Sequence, residues 1–272
     1  MQIDYCLYEL SALKKLNRFH QNKFAGVLLR INKIYFLDYF PWEEFGDQSV
    51  LQFLDKLKPT KKLPAFMHQL LSLEQEKELI KNKPFYNHGQ TTIKLKYLGS
   101  LDNLKKQLTL LTHAHIRIDF NNGLNKFEAL SFWQSLPLSI KNKIDYLEDP
   151  CPANELDWSE LAANGIPLAC DRNPKFEKII KAIVFKPNIE QNFEASTKKI
   201  FSSYMGHDLG RYHCYLALMK WGDLNEAHGV DTPGIYQNQK ELFQLNGDQL
   251  SLNKVEVSKL YLELRSLNWT TL

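Results

Sequence analysis

The sequence predicts an α/β protein, a modified (β/α)8, TIM-like barrel carrying an α+β capping domain. Three observations predict it. From about residue 83 onward, short apolar strands alternate with helical stretches, the rhythm of βα units around a parallel sheet. Before that point, strand-like runs rich in aromatic and branched residues come first and helical periodicity follows, the order of an α+β module. The later half also places a charged side chain near the end of one strand after another, where barrel enzymes keep their chemistry.

The first module, 1–82, opens with "YCLYEL", "FAGVLLRI" and "IYFLDYF", separated by polar turns, which predicts a small antiparallel sheet. After "PWEEFGDQ", the segments "SVLQFLDKLK" and "LPAFMHQLLSLEQEKELIKNK" set apolar residues at helical spacing. In the barrel, 83–235, eight strands are expected: "PFYN" (84–87), "TIKLKYL" (92–98), "HIRIDF" (115–120), "IDYLED" (144–149), "PLACD" (167–171), "AIVFKP" (182–187), "IFSSYM" (200–205) and "EAHGV" (226–230). Helices lie between them, as in "NKFEALSFWQSL", where Asn125 and Glu128 have capping-box spacing and Phe127, Leu130 and Trp133 recur at three-residue steps. The stretch from Asn87 to Thr92 is too short for a helix. At the end, "ELFQLNGDQLSLNK" reads as a hairpin about Asn246-Gly247, then a short segment "KLYLELRSL", with 236–272 returning to the first module.

Composition narrows the function. With 272 residues, 24% charged and 44% hydrophobic, the chain can bury a proper core and is neither disordered nor fibrous. A net charge of +3 with dispersed lysines argues against nucleic-acid binding, and the short Lys61-Lys62 cluster reads as a solvated loop. No apolar run approaches the ~18 residues of a membrane span, and "MQIDYCLYEL" lacks the features of a signal peptide, so a cytoplasmic protein with no membrane partner is expected. Cys6, Cys151, Cys170 and Cys214 form no CxxC pair and read as buried thiols. Sequence does not reveal the oligomeric state.

The polar residues at the expected strand ends are Lys94 with Lys96, Asp119, Glu148, Asp171, Lys186, and Ser202 with Ser203. The carboxylates fall on the third, fourth and fifth strands, and carboxylates that close repel unless a cation holds them together. Mg²⁺ suits, since it prefers oxygen ligands and leaves positions for water and substrate. Lys94 and Lys96 are two apart on one strand and point the same way, a base with a neighbouring ammonium to tune it. The second and sixth strands of an eight-stranded barrel are diametrically opposed, which sets Lys96 and Lys186 across the mouth from each other. Arg117 and Asn121 share the face of Asp119 and read as its polar supports. His113 and His115 begin their strand and read as structural, whereas His88 follows the first strand and is a candidate to line the site. Phe24, Trp42 and Phe45 read as core packing.

The ordered set "KLK", "RIDFN", "LEDP", "ACD", "FKP" and "SSYMGHDLG" resembles the enolase superfamily in its muconate-lactonizing branch. Within that branch the short chain and "YFPWEEFGDQS" are most like the o-succinylbenzoate synthase family. The resemblance implies an α+β cap over a modified barrel, Lys96 as the base, Asp119, Glu148 and Asp171 as Mg²⁺ ligands, and Lys186 on the opposite face of a small carboxylate substrate. It implies a lyase of menaquinone biosynthesis that dehydrates 2-succinyl-6-hydroxy-2,4-cyclohexadiene-1-carboxylate to o-succinylbenzoate through an enediolate. The chain departs from the family pattern at "DRN" (171–173), where "DES" is usual, and at "NIEQN" after "FKP".

Each residue also has a duller reading. A lone aspartate at a strand end is more often a turn or N-cap residue, and Asp119 alone fits a buried salt bridge to Arg117. The joint pattern on consecutive strands outweighs these readings. N-succinylamino acid racemase or dipeptide epimerase activity uses the same lysines, and a barrel that binds metal without turnover is the non-enzymatic alternative.

Overall fold

The computed structural model describes residues 1–16, 22–88, 92–171, 178–189 and 198–272. It forms two compact units, one from Met1–Tyr86, Lys186–Glu190 and Phe201–Leu272, the other from Asn87–Phe185 and Gln191–Ile200. Arg172 and Asn173 of "DRN" and residues 190–192 of "NIEQN" lie outside the described residues.

The first unit begins with β1 (Ile3–Ser11), β2 (Lys23–Ile31) and β3 (Tyr35–Tyr39), followed by α1 (Val50–Thr60) and α2 (Ala65–Glu76). Ser49 and Gln52 close a capping box on α1, which buries Val50, Phe53, Leu54 and Leu57, the i, i+3, i+4, i+7 stripe of a helix lying on a sheet. Pro59 sits in the last turn of α1, and Lys61 ends the helix at a left-handed φ of 47°.

Then come β4 (Tyr86–Asn87), β5 (Thr92–Lys96), α3 (Leu101–Leu110), β6 (His115–Asp119), α4 (Lys126–Ser135), α5 (Leu138–Lys141), β7 (Ile144–Glu148), α6 (Glu155–Ala163), β8 (Leu168–Cys170), β9 (Ala182–Phe185) and β10 (Lys199–Phe201). Strands β5 to β10 form one six-stranded sheet in sequential order, in which β5·β6, β6·β7, β7·β8 and β8·β9 pair in parallel. One face packs on helices: Ile116, Ile118, Leu147, Leu168 and Ile183 meet Ala129, Phe132 and Trp133 of α4 and Trp158 and Leu161 of α6. Burying Leu161 fully contributes about 2 kcal/mol. The other face carries the polar residues of these strands.

The chain closes with α7 (Asp208–Trp221), β11 (Ala227–His228), β12 (Phe243–Asn246), β13 (Gln249–Leu252), α8 (Lys254–Ser266) and β14 (Thr270–Thr271). All eight expected barrel strands form, the last as β11, whose neighbour Gly229 bridges Ser202 in parallel. β14 extends the first sheet to the order β14-β1-β2-β3, a pairing too short to read from sequence. The final segment is a full helix from Lys254 rather than a short one, and the hairpin turns on Gly247-Asp248, one residue later than expected. Glu74 pins the helices of this unit. It accepts the Tyr261 hydroxyl of α8, lies 3.1 Å from His213 Nε2 of α7 and 3.1 Å from Lys77. Burial alone would raise its carboxyl, and these partners reverse that and lower it.

Asn125 and Glu128 form the expected capping box at 2.9 and 2.8 Å. The three-residue repeat misjudged the buried face of α4, because Phe127 is 72% exposed while Ala129, Phe132 and Trp133 are buried. Asn125→Ala is therefore expected to lower unfolding free energy by about 1 kcal/mol in urea denaturation, and Phe127→Ala to change it by less than about 0.5 kcal/mol.

Candidate active site

Parallel pairing sets the polar side chains in layers. Lys94 pairs with Arg117 and Arg117 with Tyr146; two residues on, Lys96 pairs with Asp119 and Asp119 with Glu148. Glu148 in turn pairs with Ala169, and Asp171 follows two residues later. Partners level with one another on adjacent strands point to the same face, so each row is a layer.

The second layer depends on a register slip. Ile116 pairs with Ile144, yet Arg117 pairs with Tyr146, so β7 passes over Asp145. Without that irregularity Asp119 would lie level with Leu147, and Glu148 would point away from it. The residue passed over is used: Asp145 Oδ2 accepts Arg117 Nε at 2.8 Å and its Oδ1 accepts Lys181 Nζ at 2.8 Å. Irregularities that re-aim side chains recur beside active sites.

Asp119, Glu148 and Asp171 are all buried. Lys94 sits between the first two, its Nζ 3.1 Å from Asp119 Oδ2 and 2.7 Å from Glu148 Oε2. Burial alone would depress this lysine, but Asp119 and Glu148 lift it well above its ordinary range, so it is an ammonium. Asp119 is also braced by the backbone N–H of Asn121 at 3.1 Å, so Asn121 supports it through its main chain. Arg117, expected as the other support, is engaged by Asp145 and by His88, whose Nε2 lies 2.8 Å from its Nη1. Among the described residues no group of three His, Cys, Asp or Glu side chains is drawn together tightly enough to form a ready metal cage.

Asp149 is a participant that the sequence reading missed. It is buried at a left-handed φ of 41°, and its carboxylate accepts the Asp171 N–H at 3.3 Å. Its carbonyl accepts Asn122 N–H and its own N–H donates to Ala169, which ties the ends of β6, β7 and β8 together. Burial first, then the negative charges of Asp171, Glu148 and Asp119, push its carboxyl well above the usual range. The signal available in the sequence was a second acid in "LEDP", directly before proline. Tyr146 was missed as well; its buried ring lies under the Arg117 guanidinium at 5.0 Å.

Lys96 ends β5, half-buried and level with Asp119. Lys186, Ser202 and Ser203 belong to the other unit. There Lys186 lies 5.3 Å from the centroid of the Tyr204 ring, and Ser203, buried, donates its N–H to Gly229 at 3.0 Å. His115 is exposed at the start of β6, as a structural reading requires, and Phe24 and Trp42 are core residues. Cys151, Cys170 and Cys214 are buried thiols, whereas Cys6 is only half-buried.

Comparison with known proteins agrees with this architecture. The family profile "O-succinylbenzoate synthase, N-terminal domain" matches residues 3–79. The chain is 28% identical to o-succinylbenzoate synthase of Bdellovibrio bacteriovorus, across 99% of this chain and 98% of that protein. Its fold matches the crystal structure of o-succinylbenzoate synthase from Thermosynechococcus elongatus, complexed with Mg in the active site, with a TM-score of 0.71 at 15% identity over 97% of this chain and 100% of that one. It also matches muconate lactonizing enzyme from Pseudomonas fluorescens, TM-score 0.67 at 13% identity, over 94% and 97% of the two chains. The fold is that of the enolase superfamily, a modified (β/α)8 barrel with an α+β cap, and the chain resembles its muconate-lactonizing branch, most of all o-succinylbenzoate synthase.

The Asp145 bridge yields a pH prediction. Burial raises this carboxyl, but Lys181 and Arg117 outweigh burial and hold it at about 2. Its contribution is therefore complete above the unfolded carboxylate value near 4 and is lost as pH falls toward 2. Asp145→Asn is expected to be less stable than the native protein by about 2 kcal/mol at pH 7 in denaturant unfolding, with the difference shrinking steadily below pH ~4.

Proposed function

We propose that this chain is a Mg²⁺-dependent carbon–oxygen lyase of the o-succinylbenzoate synthase type. In this reading it dehydrates 2-succinyl-6-hydroxy-2,4-cyclohexadiene-1-carboxylate to o-succinylbenzoate, a cytoplasmic step of menaquinone biosynthesis. The observation that carries the proposal is the layer in which Lys96, Asp119 and Glu148 lie level on consecutive strands, with the Lys94 ammonium beside the two carboxylates. Full-length similarity to a synthase of that name supports the choice within the superfamily. No helix among the described residues is long and apolar enough to cross a membrane. Residues 1–82 with 236–272 are proposed as the cap and 83–235 as the catalytic barrel.

The acids present fit a hard divalent cation. Asp119, Glu148 and Asp171 offer buried oxygen donors, and burial together with their negative charges pushes the neighbouring Asp149 carboxyl up. Asp119, Glu148 and Asp171 would hold Mg²⁺, which when bound supplies positive charge for a substrate carboxylate.

The side chains do the rest. The Lys96 amine takes the proton α to the substrate carboxylate, and Lys94, kept cationic by its carboxylates, disfavours a second ammonium beside it. By the resemblance, Lys186 would supply an ammonium as negative charge spreads into the ring. Departure of the ring hydroxyl, balanced by the α-proton, amounts to loss of water and leaves an aromatic product. Asn121 and Asp149 hold Asp119 and the Asp171 backbone in place, so the carboxylates need not reorganise during the reaction.

Ultraviolet absorbance of the protein with Mg²⁺ and the cyclohexadiene carboxylate tests the reading. Wild type is expected to convert the substrate, and Lys96→Ala to lose at least about a thousandfold in kcat with an unchanged circular dichroism spectrum. Comparable turnover by both proteins rejects Lys96 as the base. No turnover by wild type moves the assignment to proton exchange on N-succinylamino acids or dipeptides, which employs the same lysines.

A further inference from the structure

The Lys186 ammonium lies 5.3 Å from the Tyr204 ring centroid, inside the ~6 Å reach of a cation–π contact. Tyr204 is buried and held at both ends. Its hydroxyl donates to Asp47, and its carbonyl accepts the Trp42 indole N–H at 2.9 Å. The same Asp47 oxygen accepts the Trp42 backbone N–H at 2.8 Å, so the group holding the ring is itself held by its own segment. The next two residues are clamped as well. Met205 adopts a left-handed φ of 54° with its carbonyl accepting the Tyr236 hydroxyl at 2.6 Å, and a Cβ on Gly206 would come within 2.6 Å of Phe40 Cβ. All these residues belong to one compact unit. The Asp47 carboxylate satisfies the buried hydroxyl and at the same time fixes the ring's orientation beside Lys186.

We infer that Tyr204 is a positioning residue for Lys186: its ring, locked by Asp47 and Trp42, fixes the ammonium where it can meet charge developing on the substrate. The inference rests on the role proposed above for Lys186. A lysine stem is flexible, and an ammonium without a backing surface samples many positions. An aromatic face narrows that range through a contact that itself consumes no hydrogen bond. An interaction that matters only once charge develops acts on kcat rather than KM. The segment "YFPWEEFGDQS" thereby gains a task beyond packing, because it supplies both anchors of the ring.

The test has one readout independent of turnover. Lysines of the full chain are reductively ¹³C-methylated, and the Lys186 resonance is assigned by its loss in Lys186→Arg. Ring current is expected to displace it in wild type and in Tyr204→Phe, and Tyr204→Leu to return it to the position of exposed lysines. In the unmodified Mg²⁺-loaded enzyme acting on the cyclohexadiene carboxylate, Tyr204→Leu is expected to lower kcat about tenfold with KM within about threefold, and Tyr204→Phe to recover most of it. A Lys186 resonance unmoved by Tyr204→Leu, or equal kcat losses in the Phe and Leu variants, overturns the inference. Should Tyr204→Leu fail to fold, Asp47→Asn decides: a moved resonance supports the inference and an unmoved one overturns it. A ring-shifted resonance in a wild-type protein that leaves the cyclohexadiene untouched supports the contact and rejects the functional reading instead.

Discussion

The second unit is organised around one irregularity, the slip that makes Arg117 pair with Tyr146 instead of Asp145. It costs a place in the ladder and leaves Asp145 out of the pairing. In exchange Glu148 stands level with Asp119, and two carboxylates from separate strands face one lysine. The displaced Asp145 is stabilised by Arg117 and Lys181, so the slip leaves no buried charge without a partner. The helix-facing side of the same strands is uniformly apolar and buried, which fixes the register against further sliding because a one-residue shift would bury every wrong side chain.

Above this layer the chain concentrates negative charge. Asp149 and Asp171 add to Asp119 and Glu148, and burial together with these neighbouring charges pushes the Asp149 carboxyl up. A set of buried acids this dense is unfavourable for folding alone and stabilising only with a cation. Lys94 meets part of that demand within the chain itself. The cluster thus trades stability for a place where positive charge is welcome, the common compromise of an active site.

Much of this was legible in the sequence because strand ends announce themselves chemically. Alternation in "HIRIDF" and "IDYLED" placed Asp119 and Glu148 correctly on their own strands, and Asn125 with Glu128 declared a helix start through side-chain chemistry. Pairing offset was not legible, since periodicity on one strand says nothing about where its neighbour lies, and so the slip and the use of Asp145 went unseen. Asp149 was hidden because its role follows from a left-handed backbone conformation that no side-chain pattern encodes. Phe127 misled because a three-residue repeat drifts around a 3.6-residue helix, carrying a large apolar side chain out to solvent. Facing alone made Arg117 read as a support for Asp119, and it gave no hint that the slip also supplies Arg117 with Asp145.

On the proposed function, the acids at the ends of β6, β7 and β8 hold a divalent cation together. Calorimetric titration of Mg²⁺ into wild type and Glu148→Gln tests it most directly, because the substitution keeps shape and removes one charged donor. A single site is expected in wild type, with an affinity at least about tenfold weaker in the variant. Equal affinities in the two proteins would contradict it.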